Sequence, residues 1–317
     1  MPKERSLALD RFRGLAIILM LIVNDLDSVL GVPDIVKHAP DRGYHVADVV
    51  APLFIFAIAL TFRPSFMRRA AEDKGKTYAH FATRYLAIIG IGTILTALGN
   101  TAGQISEHWA ALQSIGVAGL LTLLVIQLPA WARAVISLGG LGIYEVLNQG
   151  PIRDMVFGEA HGGFLGSFSW AAMLILCTVM AELFAKGMKY FLPAAAALAG
   201  AGAALALTDL VPISKNRVSA SYVLLSIAMC CAAYLLVDLF TKKLPGVKKG
   251  VTAWWGENPM LFYILHSVFQ GITRIPCIIA GIDERPLWIG ILDVVFIFAV
   301  MSFIAWKLDK KGKKISL

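Results

Sequence analysis

Ten apolar stretches, separated by short charged segments, leave this chain few ways to fold. They lie near residues 14–30, 46–63, 85–100, 111–128, 134–149, 167–185, 190–209, 220–240, 251–271 and 287–306. A helix needs about 20 apolar residues to cross a ~30 Å hydrocarbon core. A chain of 317 residues, 58% hydrophobic and 16% charged, then leaves no room for a sizeable soluble domain. Soluble domains carry about a quarter charged residues. The reading is an all-α, polytopic integral membrane protein of about ten transmembrane helices, organised as one domain over residues 1–317.

The net charge of +8 does not point to nucleic acid, because the basic residues alternate with apolar blocks and build no single face. With the N-terminus inside, 22 of the 29 Lys and Arg fall on inner segments. That bias predicts both termini on the cytoplasmic side. Arg11 and Arg13 run into a full apolar stretch with no small-residue cleavage site, so the first helix is expected to stay as an anchor. The four cysteines match no metal or disulfide spacing, and the adjacent Cys230 and Cys231 read as apolar filler. The run 193–206, PAAAALAGAGAALA, predicts close helix approach.

The stretch Val23 to Phe56 stands apart. It holds one Asn, five carboxylates and two His, in or beside a bilayer. Polar groups at that depth are costly and mark function by default. His38, Asp48 and Asn24 are the candidates there. Asp25 and Asp27 are read as lying at the water interface without a role.

Several segments resemble the heparan-α-glucosaminide N-acetyltransferase family of transmembrane acyltransferases. SLALDRFRGLAIILMLIVN resembles its first-helix pattern and places Asp10, Phe12, Arg13, Gly14 and Asn24. KHAPDRGYHVADVVAPLFIF resembles its Lys-His-Ala loop and the helix start that follows, placing Lys37, His38, Asp48 and Phe54. ALQSIG matches at Leu112, Gln113 and Gly116, and VPISKNRVSASYVL at Pro212, Lys215, Ser221 and Tyr222. GENPMLFYILHSVF places Gly256, Asn258, Tyr263 and His266, and AWKLDKKGKKI resembles the basic tail. Ser114, Asp41, Arg42 and Val218 depart from the pattern, all on the outer side, and leave the acceptor open. The resemblance implies one transmembrane acyltransferase domain of a short bacterial type, in the inner (plasma) membrane. The implied donor is acetyl-CoA and the acceptor a sugar or amine. The oligomeric state is open, a homodimer being one arrangement.

Acyl transfer from a thioester needs a base for the nucleophile, support for the oxyanion and exclusion of water. A carboxylate that fixes an imidazole is a recurring base arrangement, which assigns His38 as base and Asp48 as its partner. Direct transfer through one base is the simpler route; an acetyl-His intermediate is the other. Asn24 is read as a donor to the thioester carbonyl, or as a helix-packing hydrogen bond. Asn258 and His266 are read on one face of one helix, about 12 Å apart, with His266 positioning the acceptor or carbonyl. Arg11, Arg13, Arg84, Asn258, Lys310 and Lys311 are the candidates for holding CoA, since its phosphates suit cations on the inner side. His45, His108 and His161, with Glu107 and Glu159, match no zinc spacing, and no metal is expected. HGGFLG at 161–166 reads as a tight outer loop.

Two other classes compete. A transporter would use intramembrane Asp48, Glu145, Glu182, Asp238 and Asp293, but no inverted repeat is visible. A structural membrane protein would not bind CoA.

Overall fold

A computed structural model describes residues 6–101, 108–157, 159–243, 249–282 and 284–315. Glu107 lies outside the described residues. The helices are α1 (Leu7–Leu26), α2 (Val50–Ala70), α3 (Lys74–Thr101), α4 (Ala111–Val125), α5 (Ala130–Asn148) and α6 (Arg153–Phe157). They continue with α7 (Gly163–Lys186), α8 (Met188–Leu207), α9 (Ala220–Lys243), α10 (Val251–Glu257), α11 (Pro259–Ile279) and α12 (Leu287–Lys310). No strand occurs among the described residues. Among the described residues, eight helices are long and apolar enough to cross a membrane: α2, α3, α5, α7, α8, α9, α11 and α12. The chain is an all-α polytopic membrane protein. Of the ten expected spans, α4 has only 15 residues and α1 carries Asp10, Arg11, Arg13 and Asp25 within its 20.

The span expected at 251–271 is broken, and this corrects the reading of Asn258 and His266 on one helix. Pro259 has no N–H to bond to the carbonyl four residues back, and its ring restricts the residue before it. Asn258 leaves the helical region (φ −132°, ψ 57°), and Pro259 opens α11 at the first helical position, where it is tolerated.

The chain divides into two compact units. The first comprises residues up to His38, His45–Phe54 and Ala232 onward; the second comprises Ala39–Tyr44 and Ile55–Cys231. In the first, α1 and α10 cross in antiparallel fashion with almost no space between backbones. A Cβ on Gly14 would stand 1.7 Å from the Thr252 carbonyl oxygen, and one on Gly256 would stand 1.7 Å from that of Asp10. Glycine at both positions lets the backbones meet. Ile17, Met20 and Leu21 of α1 then pack with Trp255, Phe262, Ile297 and Met301 in one apolar core.

In the second unit, Gly116 and Gly119 of α4 admit the Tyr85 ring and backbone of α3, and α7 is buried along most of its length. His161, Gly162 and Gly163 all have positive φ, and this makes the tight turn expected at HGGFLG. The small-residue run of α8 admits a neighbour closely at one point, Gly202. Only Phe191 and Gly202 of α8 are buried, with Gly202 against Leu224 and Leu225 of α9. A side chain as small as Ala permits close approach without bringing a neighbour there.

Candidate active site

His38 and Asp48 meet in the first unit. Asp48 sits in a single 3-10 turn, Val46–Val49, that leads into α2. Its carboxylate is fully buried, and Oδ1 lies 2.9 Å from His38 Nδ1. Its Oδ2 accepts the His45 backbone N–H at 2.9 Å. His45 Nδ1 in turn lies 3.1 Å from the Lys37 carbonyl oxygen. The loop thus fixes Asp48 from one side and the backbone next to His38 from the other. A carboxylate on Nδ1 favours the Nδ1–H tautomer, which puts the basic lone pair on Nε2. The His38 side chain is 32% exposed, so a reacting group can reach it.

A second His–carboxylate pair is buried at the end of α1. His266 Nε2 lies 3.0 Å from Asp25 Oδ2, with the side chains 1% and 0% exposed. This corrects the placement of Asp25 at the water interface. Asp27 is exposed, but its Oδ1 accepts the His38 backbone N–H at 3.3 Å. Asn24 enters through its backbone: its carbonyl oxygen accepts from Gln270 Nε2 and Arg274 Nη2, both at 2.9 Å. The Arg285 guanidinium donates to the Asp25 carbonyl and pairs with Asp293 at 2.6 Å. Cations at a helix C-terminus complement its dipole and its open carbonyls. Asn24, His38 and His266 are therefore all tied to one turn of α1. Arg274 and Arg285 escaped notice because in sequence they look like ordinary loop-side cations.

The family model described as Heparan-alpha-glucosaminide N-acetyltransferase, catalytic, matches residues 5–190. The chain belongs to this family. Its members are membrane acetyltransferases that use acetyl-CoA as donor. No curated protein matches the chain. The matched segment contains Asn24, His38 and Asp48, whereas His266 and the α1-capping arginines lie beyond it.

The residues expected to hold CoA are scattered. Arg11 lines a groove of about 640 Å³ with Leu15, Leu236, Phe240, Lys243 and Thr252. Its Nη1 donates to Thr241 Oγ1 at 3.0 Å, and its guanidinium lies 5.8 Å from the centre of the Phe240 ring. Arg13 Nη1 stands 3.9 Å from Asp10. Asn258 is buried and holds the tail, its Oδ1 accepting the Ile315 N–H at 2.6 Å. Lys310 lies over the Trp306 ring at 4.2 Å, and Lys311 follows the end of α12. Glu257 beside the break pairs with Lys249 at 2.8 Å and Lys314 at 3.4 Å. The hydrogen bond to Glu257, with help from Asp309, holds the Lys249 ammonium above its ordinary range. Arg84 belongs to the other unit, on α3, with Nε buried and lacking a hydrogen-bond partner among the described residues.

The loop after His38, where the sequence departs from the family, is pinned within the second unit. Arg217 Nε and Ser214 Oγ both donate to Asp41 Oδ1 at 2.9 Å. Asn216 Nδ2 donates to the Pro40 carbonyl at 2.7 Å.

Proposed function

We propose that the protein moves an acetyl group from cytoplasmic acetyl-CoA to an amine or hydroxyl of a sugar or glycan on the extracytoplasmic side of an inner (plasma) membrane. The observation that carries this reading is the His38 Nδ1–Asp48 Oδ1 contact at 2.9 Å, with Asp48 buried and His38 reachable.

In this scheme the acceptor N–H or O–H faces His38 Nε2. As the acceptor attacks the thioester carbonyl, His38 takes its proton and Asp48 steadies the imidazolium. The tetrahedral intermediate collapses with expulsion of the CoA thiolate, and His38 returns the proton to sulfur. The products are the acetylated acceptor and CoA-SH. Asn24 and His266, on or tied to the same turn of α1, position the carbonyl or acceptor. On the donor side, Arg11 and the groove it lines suit a phosphate-bearing nucleotide with an apolar arm. Within the first unit, Arg13, Asn258, Lys310 and Lys311 complete the proposed CoA set, although Asn258 Oδ1 already serves the tail.

Thermal denaturation of the purified protein with and without CoA tests donor binding. A ligand at 100 times its Kd adds about 2.7 kcal/mol of stability, so a clear upward shift is expected. Membranes carrying the protein should also transfer label from acetyl-CoA to amino sugars. No shift and no transfer to any amine or sugar would end the proposal.

A further inference from the structure

A charged cluster inside the second unit plays no part in that chemistry. Glu182, in the last turns of α7, is shared by three cations. Its Oε2 accepts from Arg133 Nη2 and lies 3.5 Å from Arg63 Nη1, while its Oε1 accepts from Lys186 Nζ at 2.9 Å. Arg133 is wholly buried, and its Nε and Nη1 donate to the Leu128 carbonyl and to Thr178 Oγ1. Arg63 donates Nε to the Ile126 carbonyl at 3.2 Å.

One carboxylate against three cations leaves two positive charges unbalanced. The burial pattern shows where they lie. Arg133 is internal, but the side chains of Arg63 and Lys186 are 27% and 54% exposed. Lys186 ends α7 at Gly187, so the cluster sits where a long apolar helix stops. The charge bias of the chain assigns that end to the cytoplasmic side, where anionic lipids concentrate. A guanidinium and an ammonium side by side suit the oxygens of a phosphate.

We propose that Arg63 and Lys186, held in place by Glu182 and the buried Arg133, bind the phosphate of an anionic phospholipid at the cytoplasmic surface. Arg133 fixes Glu182, Glu182 sets the spacing of the two outer cations, and the lipid phosphate supplies the missing negative charge. The readout is lipid retention, which does not depend on whether the protein transfers acetyl groups.

Native mass spectrometry of the full chain in detergent, supplemented with phosphatidylglycerol or phosphatidylcholine, tests the site. Phosphatidylglycerol should be retained in preference, and Arg63→Gln with Lys186→Gln should lower its retention about fivefold for each charge removed. Lys186→Gln alone changes a half-exposed side chain, so it keeps the test valid if the double variant folds poorly. Equal retention of the two lipids, or retention unchanged in the variants, overturns the proposal and leaves an internal ion network. Displacement of phosphatidylglycerol by CoA overturns it too, since the phosphate would then belong to the nucleotide.

Discussion

His38 and Asp48 differ in what their loss removes. His38→Ala removes the proposed base itself, and general-base catalysis contributes about 10²–10⁴-fold. Activity should fall by that factor while the CoA-induced shift in denaturation temperature persists, because the imidazole is not placed among the CoA-binding groups. Asp48→Asn keeps the shape but favours the wrong tautomer, with a similar loss expected in kcat and little change in KM for acetyl-CoA. A His38→Ala protein with normal transfer removes His38 as the base. The Asp25–His266 pair is a different case, since both side chains are fully buried. Removing one partner of such a pair strands the other at a cost of about 3–5 kcal/mol. His266→Leu should therefore lower the denaturation temperature markedly, and Asp25→Leu with His266→Leu should recover part of that loss. A double variant as unstable as the sum of the single ones would show that the two are not coupled. His38 and Asp48 were legible because their types and their motif name a chemistry. Asp25 was legible in principle as well: Gly14, Ile17, Leu21 and Asp25 recur at helical spacing, and all four are buried. An acidic residue near a helix end looks solvated when its neighbours in sequence are weighed instead of its neighbours on the helix face.

At the level of elements, the α1–α10 crossing decides whether the end of α1 reaches its place. Gly14→Ala would put a methyl group 1.7 Å from a backbone oxygen, so the helices must separate. Overpacking usually costs about 1–3 kcal/mol, and more when only backbone can give way. A lower denaturation temperature is expected, together with reduced acetyl transfer as the α1 turn at Asn24–Asp27 shifts. Gly139→Ala on α5, where an added Cβ meets nothing within 4 Å, is the control and should be neutral or slightly stabilising. Equal behaviour of the two variants would contradict the crossing. The apolar stretches placed nearly every long helix, because burial in lipid or protein demands the same residues. They did not place the break at Asn258, since Pro at a first helical turn and Pro within a span look alike until the preceding dihedrals are known. Nor did they locate the neighbours of α8, because small residues permit contact without specifying it.

For the whole molecule, the direction of insertion separates a workable enzyme from an unworkable one. The charge bias assigns the His38 loop outside and the segments around the Arg11 groove inside, so the proposed reaction requires the acetyl group to cross within the protein. Reversal would put the base on the side of the donor and leave the acceptor side without one. The assignment rests on 22 of 29 basic residues falling on one side. It can be read directly, because Cys177, Cys230, Cys231 and Cys277 are all buried and should not react with a bulky, membrane-impermeant maleimide. Lys76→Cys, between α2 and the body of α3, replaces a side chain 89% exposed. Arg153→Cys, between α5 and α7, replaces another exposed one. In intact cells the reagent should label position 153 and spare position 76 until the membrane is opened. The opposite pattern would invert the chain, with the His38 loop inside and the Arg11 groove outside, and would overturn transfer from a cytoplasmic donor to an outer acceptor. Labelling of both positions in intact cells would instead mean dual insertion, and then only part of the population would be competent for transfer across the membrane.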